Sequence, residues 1–291
     1  MTQHRILEDR LASLSDSGEI IRSMKNLAFM ETRKLTRLIE HQRGVVAQID
    51  AVAADFLAFF PHTLPPAASS HRAYLVIGSR RGFCGDFNER LVDELQRETT
   101  DADPAGLTVI GVGHKLCRRL EPLFALESAI DGADIAEEIP SVLTTIVNQL
   151  DLQRLRHGTP QLSVVYQDAE QDRPCVVRML PPFEDRRGAP RSHANAPLLN
   201  LSARTFLLEL GEQYLFAALR GMLFESLLAE NERRLRHLDG AVRHLEQRVG
   251  EIRRRVQALR QEEIIEEIEV ILLNAASLDT PLDRPASSEP D

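Results

Sequence analysis

The sequence has little of the bulky aromatic material that fills the cores of many sheet proteins. Its 291 residues include no tryptophan and three tyrosines, and aromatic residues make up only 5% of the chain. Residues that favour helices dominate instead. This balance favours long helices over a β-sandwich, and the length is enough for one or two domains with a sizeable core.

Cysteine is scarce too, and long hydrophobic runs are missing. The three cysteines, Cys84, Cys117 and Cys175, do not have the spacing of a metal site and fit a reducing compartment. Charges at Arg5 and Glu8 interrupt any signal-peptide pattern. No apolar run approaches the roughly 20 residues needed to span a bilayer. We expect a soluble protein, or one bound to a membrane complex only through other subunits.

Positive charge is in deficit overall. The net charge is −9 and the pI is near 5.6, so nucleic acid is not an expected partner. The distribution is uneven, because a basic stretch from Arg233 to Arg260 is followed at once by Glu262, Glu263, Glu266, Glu267 and Glu269. Two interpretations stay open: a solvated helix face, or a surface that meets charged partner loops.

Proline is absent from residues 203–278, and apolar residues recur there at alternating gaps of three and four. They are Leu235, Leu238, Val242, Leu245, Val249, Ile252, Val256 and Leu259. This heptad period predicts one long helix with an apolar stripe that faces a partner helix. The residues between them are expected on the wet face: Arg233, Arg236, Glu246, Arg248, Glu251 and Arg254.

Residues 1–60 also lack proline, and Pro61 ends the segment. The same period predicts a second helix, with a stripe at Leu7, Leu11, Leu14, Gly18, Ile21, Lys25, Ala28, Thr32, Leu35, Leu38, Gln42, Val45, Ile49, Val52 and Phe56. Its polar members weaken the stripe but can fix register.

Strand and helix patterns alternate in residues 72–182, which predicts an α/β, Rossmann-like domain with a largely parallel sheet. The predicted strands are 73–77, 107–112, 162–166 and 176–180, and the predicted helices are 88–96, 115–122 and 135–150. The polar tail 279–291 is expected to be disordered. The fold class is therefore α+β overall: an antiparallel coiled coil of segments 1–60 and 203–278 around an inserted α/β domain. A parallel homodimer through the second helix is the alternative.

The glycine-rich stretch from Gly78 to Asn88 follows a strand and precedes a helix, where phosphate-binding loops occur. Its glycine spacing fits neither the dinucleotide pattern nor a P-loop. Tight turns and close helix packing explain these glycines better. The histidines and carboxylates form no catalytic or metal-binding pattern, so we expect no catalytic site, no cofactor and no metal.

Three stretches resemble the gamma subunit of F-type ATP synthases. Arg10 to Ala28 is similar to that family's opening segment, with Met24 among the matching residues. The loop RGFCGDFN resembles the family's Gly-Leu-Cys-Gly-x-Phe-Asn at Gly82, Cys84, Gly85, Phe87 and Asn88.

Leu259 to Leu278 resembles the family's closing Arg-Gln-x-x-Ile-Thr-x-Glu-Ile segment. Arg260 and Gln261 match, and Ile265 replaces the threonine. The resemblance implies that Met24, Arg260, Gln261 and Ile265 contact an acidic catch loop of a beta chain, and that the glycine loop is structural. If Met24 lies level with Gln261, then Leu38 is expected near Leu245 or Val249, and Val52 near Leu235.

The resemblance further implies a central rotor shaft without a catalytic site of its own. Its partners would be the alpha and beta chains, the epsilon subunit and the membrane c ring, on the cytoplasmic face of a bacterial inner membrane. Proton and sodium coupling are not distinguished. Two other classes stay open on the residues alone: a homodimeric coiled-coil scaffold, and an α/β enzyme with helical arms.

Overall fold

A computed structural model of the chain describes residues 2–64, 71–100, 106–186 and 195–278. The helices are α1 (Thr2–Phe59), α2 (Phe87–Thr99), α3 (His114–Leu120), α4 (Ile139–His157) and α5 (Ala203–Leu278). The strands are β1 (Arg72–Ile77), β2 (Leu107–Val112), β3 (Leu126–Ile130), β4 (Gln161–Asp168) and β5 (Arg173–Leu180). The tail expected to be disordered lies outside the described residues. No helix in the described ranges is long and apolar enough to cross a membrane.

The five strands form one mixed sheet in the order β3-β2-β1-β4-β5. The strands β1 to β4 run parallel to one another, and β5 pairs antiparallel with β4. The apolar runs predicted β1 and β2 because inner parallel strands are buried on both faces. The edge strand β3 was not predicted, because its Glu127 and Ser128 interrupt the apolar pattern.

Helices cover both faces of the sheet. One face packs against α4, against Leu35 and Ile39 of α1, and against α5 from Ala218 to Leu228. The other face packs against α2 and α3. The apolar residues of α2 recur at one helical face, so that Phe87, Leu91, Val92 and Leu95 are all buried. The sheet and the middle of α5 therefore share one core.

The buried face of α1 departs from the predicted heptad stripe in its second half. Leu38, Val45 and Val52 are 37–47% exposed, and the residues that follow each of them, at positions 39, 46 and 53, are less exposed instead. The prediction was wrong here because this part of α1 packs against both the sheet domain and α5. A helix with two neighbours buries a different arc from a simple two-helix seam.

The helices α1 and α5 are in contact in opposite chain directions: as the residue number rises on α1, the number of the contacting residue on α5 falls. In the compact unit of residues 24–239, Lys25 forms an ion pair with Asp239, and the Gln42 amide donates to the Ala217 carbonyl at 2.8 Å. Further along, Ala53 and Leu207 share a third core cluster. The expected pair of Val52 with Leu235 is therefore wrong.

The second compact unit comprises the described parts of the two chain ends. Here Arg22 contacts Glu246 across 3.0 Å. Gln261 lies 15 residues further along α5, or about 22 Å at helical rise, so Arg22 does not lie level with Gln261. The apolar stripe of the sequence repeats so regularly that it is compatible with several pairing registers. The buried Gln42 and the contacts of α5 with the sheet select the register instead.

Candidate functional site

The glycine-rich loop is held by Asn88, the second residue of α2. The Asn88 Oδ1 accepts from the Ser79 backbone amide at 3.0 Å, and its Nδ2 donates to the Ser79 Oγ at 2.7 Å. The Cys84 thiol lies 3.5 Å from the same hydroxyl. A Cβ on Gly78 would come within 2.8 Å of the Asn88 Oδ1, so this loop packs too closely to admit a side chain there.

The other loop residues have distinct environments. Phe87 is fully buried in the core on the α2 side of the sheet. Gly85 has a φ of +63°, which glycine adopts without strain. The Gly82 carbonyl accepts a hydrogen bond from the Arg234 Nε at 3.3 Å. Burial raises the pKa of the Cys84 thiol, which disfavours the reactive thiolate.

Helix α5 lies across the carboxyl end of the central strand. The Ser226 hydroxyl donates to the Ile77 carbonyl, at the end of β1, over 3.1 Å. Ala229 packs in one cluster with residues of β1 and with Val165 of β4. In open α/β sheets this is the crevice where ligands bind, because the strand order reverses there. In this chain α5 occupies that position.

The same turn of α5 carries a buried ion pair. Glu230 and Arg234 are 2% and 7% exposed and contact each other directly. Arg234 also donates to the Asn231 Oδ1 at 3.1 Å. Burial raises the pKa of Glu230 to about 7, although the Arg234 charge acts in the opposite direction.

Arg233, the neighbouring residue, is also buried, whereas its position between heptad residues predicted the wet face. That prediction was wrong. The Arg233 guanidinium donates to the Asp172 carboxylate, with 2.9 Å from its Nη2 to the Oδ1, and it contacts the Asp86 carboxylate. No local sequence pattern indicates this cluster, because its two acids lie 61 and 147 residues away from Arg233 in the chain.

The four residues expected to contact a beta chain lie on α1 and α5. Met24 is half-buried on α1, while Arg260 and Gln261 are exposed on α5. Ile265 is 54% exposed, and its neighbours Ile264 and Ile268 are about as exposed as it is. These α5 side chains are accessible to a partner.

The part of the chain that the structure describes contains no group of three or more His, Cys, Asp or Glu side chains placed to hold a metal ion. The polar groups at the α5 crossing are engaged with each other or with loop backbone. The exposed residues near the end of α5 thus have the features of a contact surface. The residues where α5 crosses the sheet form an internal junction between helix and sheet.

Comparisons with known proteins agree with this picture. A family model described as ATP synthase matches residues 3–278. The ATP synthase gamma chain of Moorella thermoacetica is 25% identical over 288 residues, which cover 96% of this chain and all of that protein. The ATP synthase gamma chain of Streptomyces coelicolor is 23% identical over 294 residues, covering 95% of this chain and 96% of the relative.

Solved structures have a similar fold. A chain of the Euglena gracilis mitochondrial ATP synthase, in a structure of OSCP, F1 and c-ring, has a TM-score of 0.58 at 17% identity and covers 99% of both chains. A chain of the Tetrahymena thermophila mitochondrial ATP synthase central stalk and c-ring has a TM-score of 0.56 at 19% identity, covering 76% of this chain and 99% of that chain. The homodimeric scaffold alternative has no support from these relatives. With its family match over nearly the whole length, the chain belongs to the ATP synthase family, among the gamma chains.

Proposed function

We propose that this chain is the central rotor shaft of a bacterial F-type ATP synthase, which couples rotation of a membrane c ring to catalysis in an alpha/beta head. The observation that carries the proposal is the single helix α5, 76 residues long. At helical rise it extends about 114 Å. Its middle is embedded in the core of the sheet domain, and the apolar side chains from Ile264 to Leu273 are exposed.

The two terminal helices form an antiparallel coiled coil, in segments 1–60 and 203–278, around the α/β domain of residues 72–182. Support comes from contacts whose residue numbers rise on α1 as they fall on α5: Arg22 with Glu246, Lys25 with Asp239, and Gln42 with Ala217. Heptad positions of α5 such as Ile252, Val256 and Leu259 are less exposed than the residues on either side of them. Paired helices resist bending more than one helix, as a shaft requires.

Arg260 and Gln261 meet the catch loop of a beta chain, and Met24 and Ile265 are further contact residues. Exposure of Arg260 and Gln261 supports this role. Ile265 cannot donate or accept a side-chain hydrogen bond, so it contributes an apolar contact where the family has threonine. Exposed polar contacts are worth only about 0–1 kcal/mol each, which lets a rotating bearing break and remake them.

The chain has no catalytic site or cofactor of its own and acts as a non-catalytic subunit. Support comes from α5, which occupies the crevice where a nucleotide would bind in an open α/β sheet. The α/β domain faces the epsilon subunit and the c ring. Attachment to the cytoplasmic face of a bacterial inner membrane runs through these other subunits.

A reversible crosslink tests rotation. We expect that Gln261→Cys, joined by a disulfide to a cysteine in the facing beta-chain loop, stops ATP turnover by the assembled complex, because a covalent bond cannot be remade at the next site. Reduction of the disulfide should restore turnover. Turnover is measured on one sample before and after reductant, with Cys84, Cys117 and Cys175 replaced beforehand.

The control is Gln261→Cys alone, kept reduced. It should lose much less activity, because the neighbouring Arg260 is still present. Normal coupled turnover by the fully crosslinked complex would show that this end of α5 does not rotate against beta, and the rotor assignment would fail.

A further inference from the structure

One turn of α5 contacts two separate loops of the sheet domain through a single arginine. The Arg233 Nε and Nη2 donate to the Asp172 Oδ1 at 3.1 and 2.9 Å, and Nη2 lies 3.4 Å from the Asp172 carbonyl oxygen. The Arg233 Nη1 contacts the Asp86 Oδ1. Asp172 lies in the turn between β4 and β5, and Asp86 immediately precedes α2. We refer to Arg233, Asp86 and Asp172 as the arginine clasp.

The geometry of the clasp is directional. A planar guanidinium whose donors point at two carboxylates fixes both the height and the rotation of α5 against the sheet. Apolar packing, in contrast, is non-directional. The Arg233 side chain is only 8% exposed, whereas its partners Asp86 and Asp172 are 67% and 54% exposed. The guanidinium is therefore held by its surroundings more than the Lys34 side chain, which is 36% exposed in its ion pair with Glu137.

The turn that carries Asp172 is shaped for this contact. Asp172 has a φ of +47°, a left-handed conformation that aspartate tolerates better than most residues. That conformation presents the carboxylate and the carbonyl oxygen of one residue to the same guanidinium. Arg90 of α2 donates to the same carbonyl at 2.6 Å, which ties the turn to α2 as well.

We propose that the arginine clasp transmits torque between the α/β domain and α5, with Arg233 as a positioning residue that keeps helix and sheet turning as one body. This inference rests on the proposed rotor function. If the sheet domain is driven by the c ring while the end of α5 meets the alpha/beta head, torque must cross the boundary where α5 lies on the sheet. Loss of the clasp then allows α5 to twist against the sheet under load.

The test compares ATP hydrolysis with ATP-driven ion uptake into vesicles containing the assembled complex. We expect Arg233→Ala to lower the ions taken up per ATP hydrolysed by roughly threefold or more, because α5 loses the directional contact that fixes its rotation against two loops of the sheet domain. Arg233→Lys should recover part of the ratio, because lysine restores the charge without the fork. Arg248→Ala, which removes an exposed ion pair with Glu251 on the same helix, should leave the ratio unchanged.

A covalent rescue separates torque transmission from simple stability. In a chain without the three native cysteines, Asp172→Cys and Arg233→Cys together should lower the uptake ratio. A short bis-maleimide crosslinker between them should restore it, although it restores no charge. If Arg233→Ala does not assemble, the milder variant Asp86→Asn, at a residue whose side chain is 67% exposed, is measured in its place.

Each result has a defined meaning. An assembled complex whose uptake ratio is unchanged in the clasp variants, or is not restored by the crosslinker, overturns the clasp proposal and leaves the rotor function standing. A wild-type chain that does not copurify with alpha and beta chains overturns the rotor function itself.

Discussion

Two stretches of α5 are both rich in apolar residues, yet the fold treats them in opposite ways. From Ala217 to Ala229, apolar side chains such as Leu219 and Leu223 are buried against the sheet and α1. From Ile264 to Leu273, the apolar side chains are 49–71% exposed. Exposed apolar surface of this kind typically marks an interaction site. Apolar content therefore identifies both stretches as helix with a partner, but among the residues that the structure describes only the first stretch is covered by such a partner.

The largest expected contrast comes from the same substitution in the two stretches. Leu219→Ala should destabilise the isolated chain by about 2–5 kcal/mol, because it leaves a cavity at a fully buried position. Leu272→Ala, at a position 63% exposed, should change stability by less than about 0.5 kcal/mol. Urea denaturation of the two variants measures both values. Equal losses would mean that the end of α5 is covered by the chain itself.

A pH series compares a buried and an exposed glutamate of α5. Because the pKa of Glu230 is raised from 4.5 to about 7, the folded chain keeps a proton that the unfolded chain releases between these values. This contribution to stability is fully present below pH 4.5 and is lost as the pH rises through 7. The stability of wild type relative to Glu230→Gln should therefore fall by about 2–3 kcal/mol between about pH 5 and pH 8.

The matched control for the pH series is Glu262→Gln, at an exposed position near the end of α5. Its stability difference from wild type should not show this fall. A flat difference for Glu230→Gln would mean that the Arg234 charge balances the effect of burial on the pKa of the carboxyl group. Thermal melting midpoints across the pH range are the measurement.

The smallest expected effect concerns one hydrogen bond. Ser226→Ala removes the donor to the Ile77 carbonyl at the end of β1 and should cost about 1 kcal/mol. Gln261→Ala, at an exposed position, should cost less than about 0.5 kcal/mol in the isolated chain. Urea denaturation of the two variants measures both losses of stability. If Ser226→Ala leaves the free energy of unfolding unchanged, α5 is held over the sheet by apolar packing alone.

The sequence predicted features that depend on local patterns. Continuous helices over residues 2–59 and 203–278 follow from uninterrupted apolar periods without proline. The central strands β1 and β2 follow from short apolar runs. Such signals are carried by neighbouring residues, so they survive without knowledge of the partner elements.

Features that depend on distant partners were not predictable in this way. Burial of Arg233 requires two acids from other parts of the chain, and its heptad position alone suggested exposure. The side chains of Leu38, Val45 and Val52 are exposed because α1 packs against the sheet domain as well as against α5. The pairing register failed for the same reason, since a regular apolar stripe is compatible with several registers.

Asp172 has three basic partners, which gives the junction an evolutionary asymmetry. Arg233, Arg236 and Arg90 all contact this one residue through its carboxylate or its carbonyl oxygen. Loss of one arginine leaves two others in contact with Asp172. Replacement of Asp172, in contrast, removes the carboxylate shared by Arg233 and Arg236 and disturbs the turn whose carbonyl oxygen accepts from Arg90. Drift among descendants of this sequence should consequently be tolerated at Arg90 and Arg236 sooner than at Asp172.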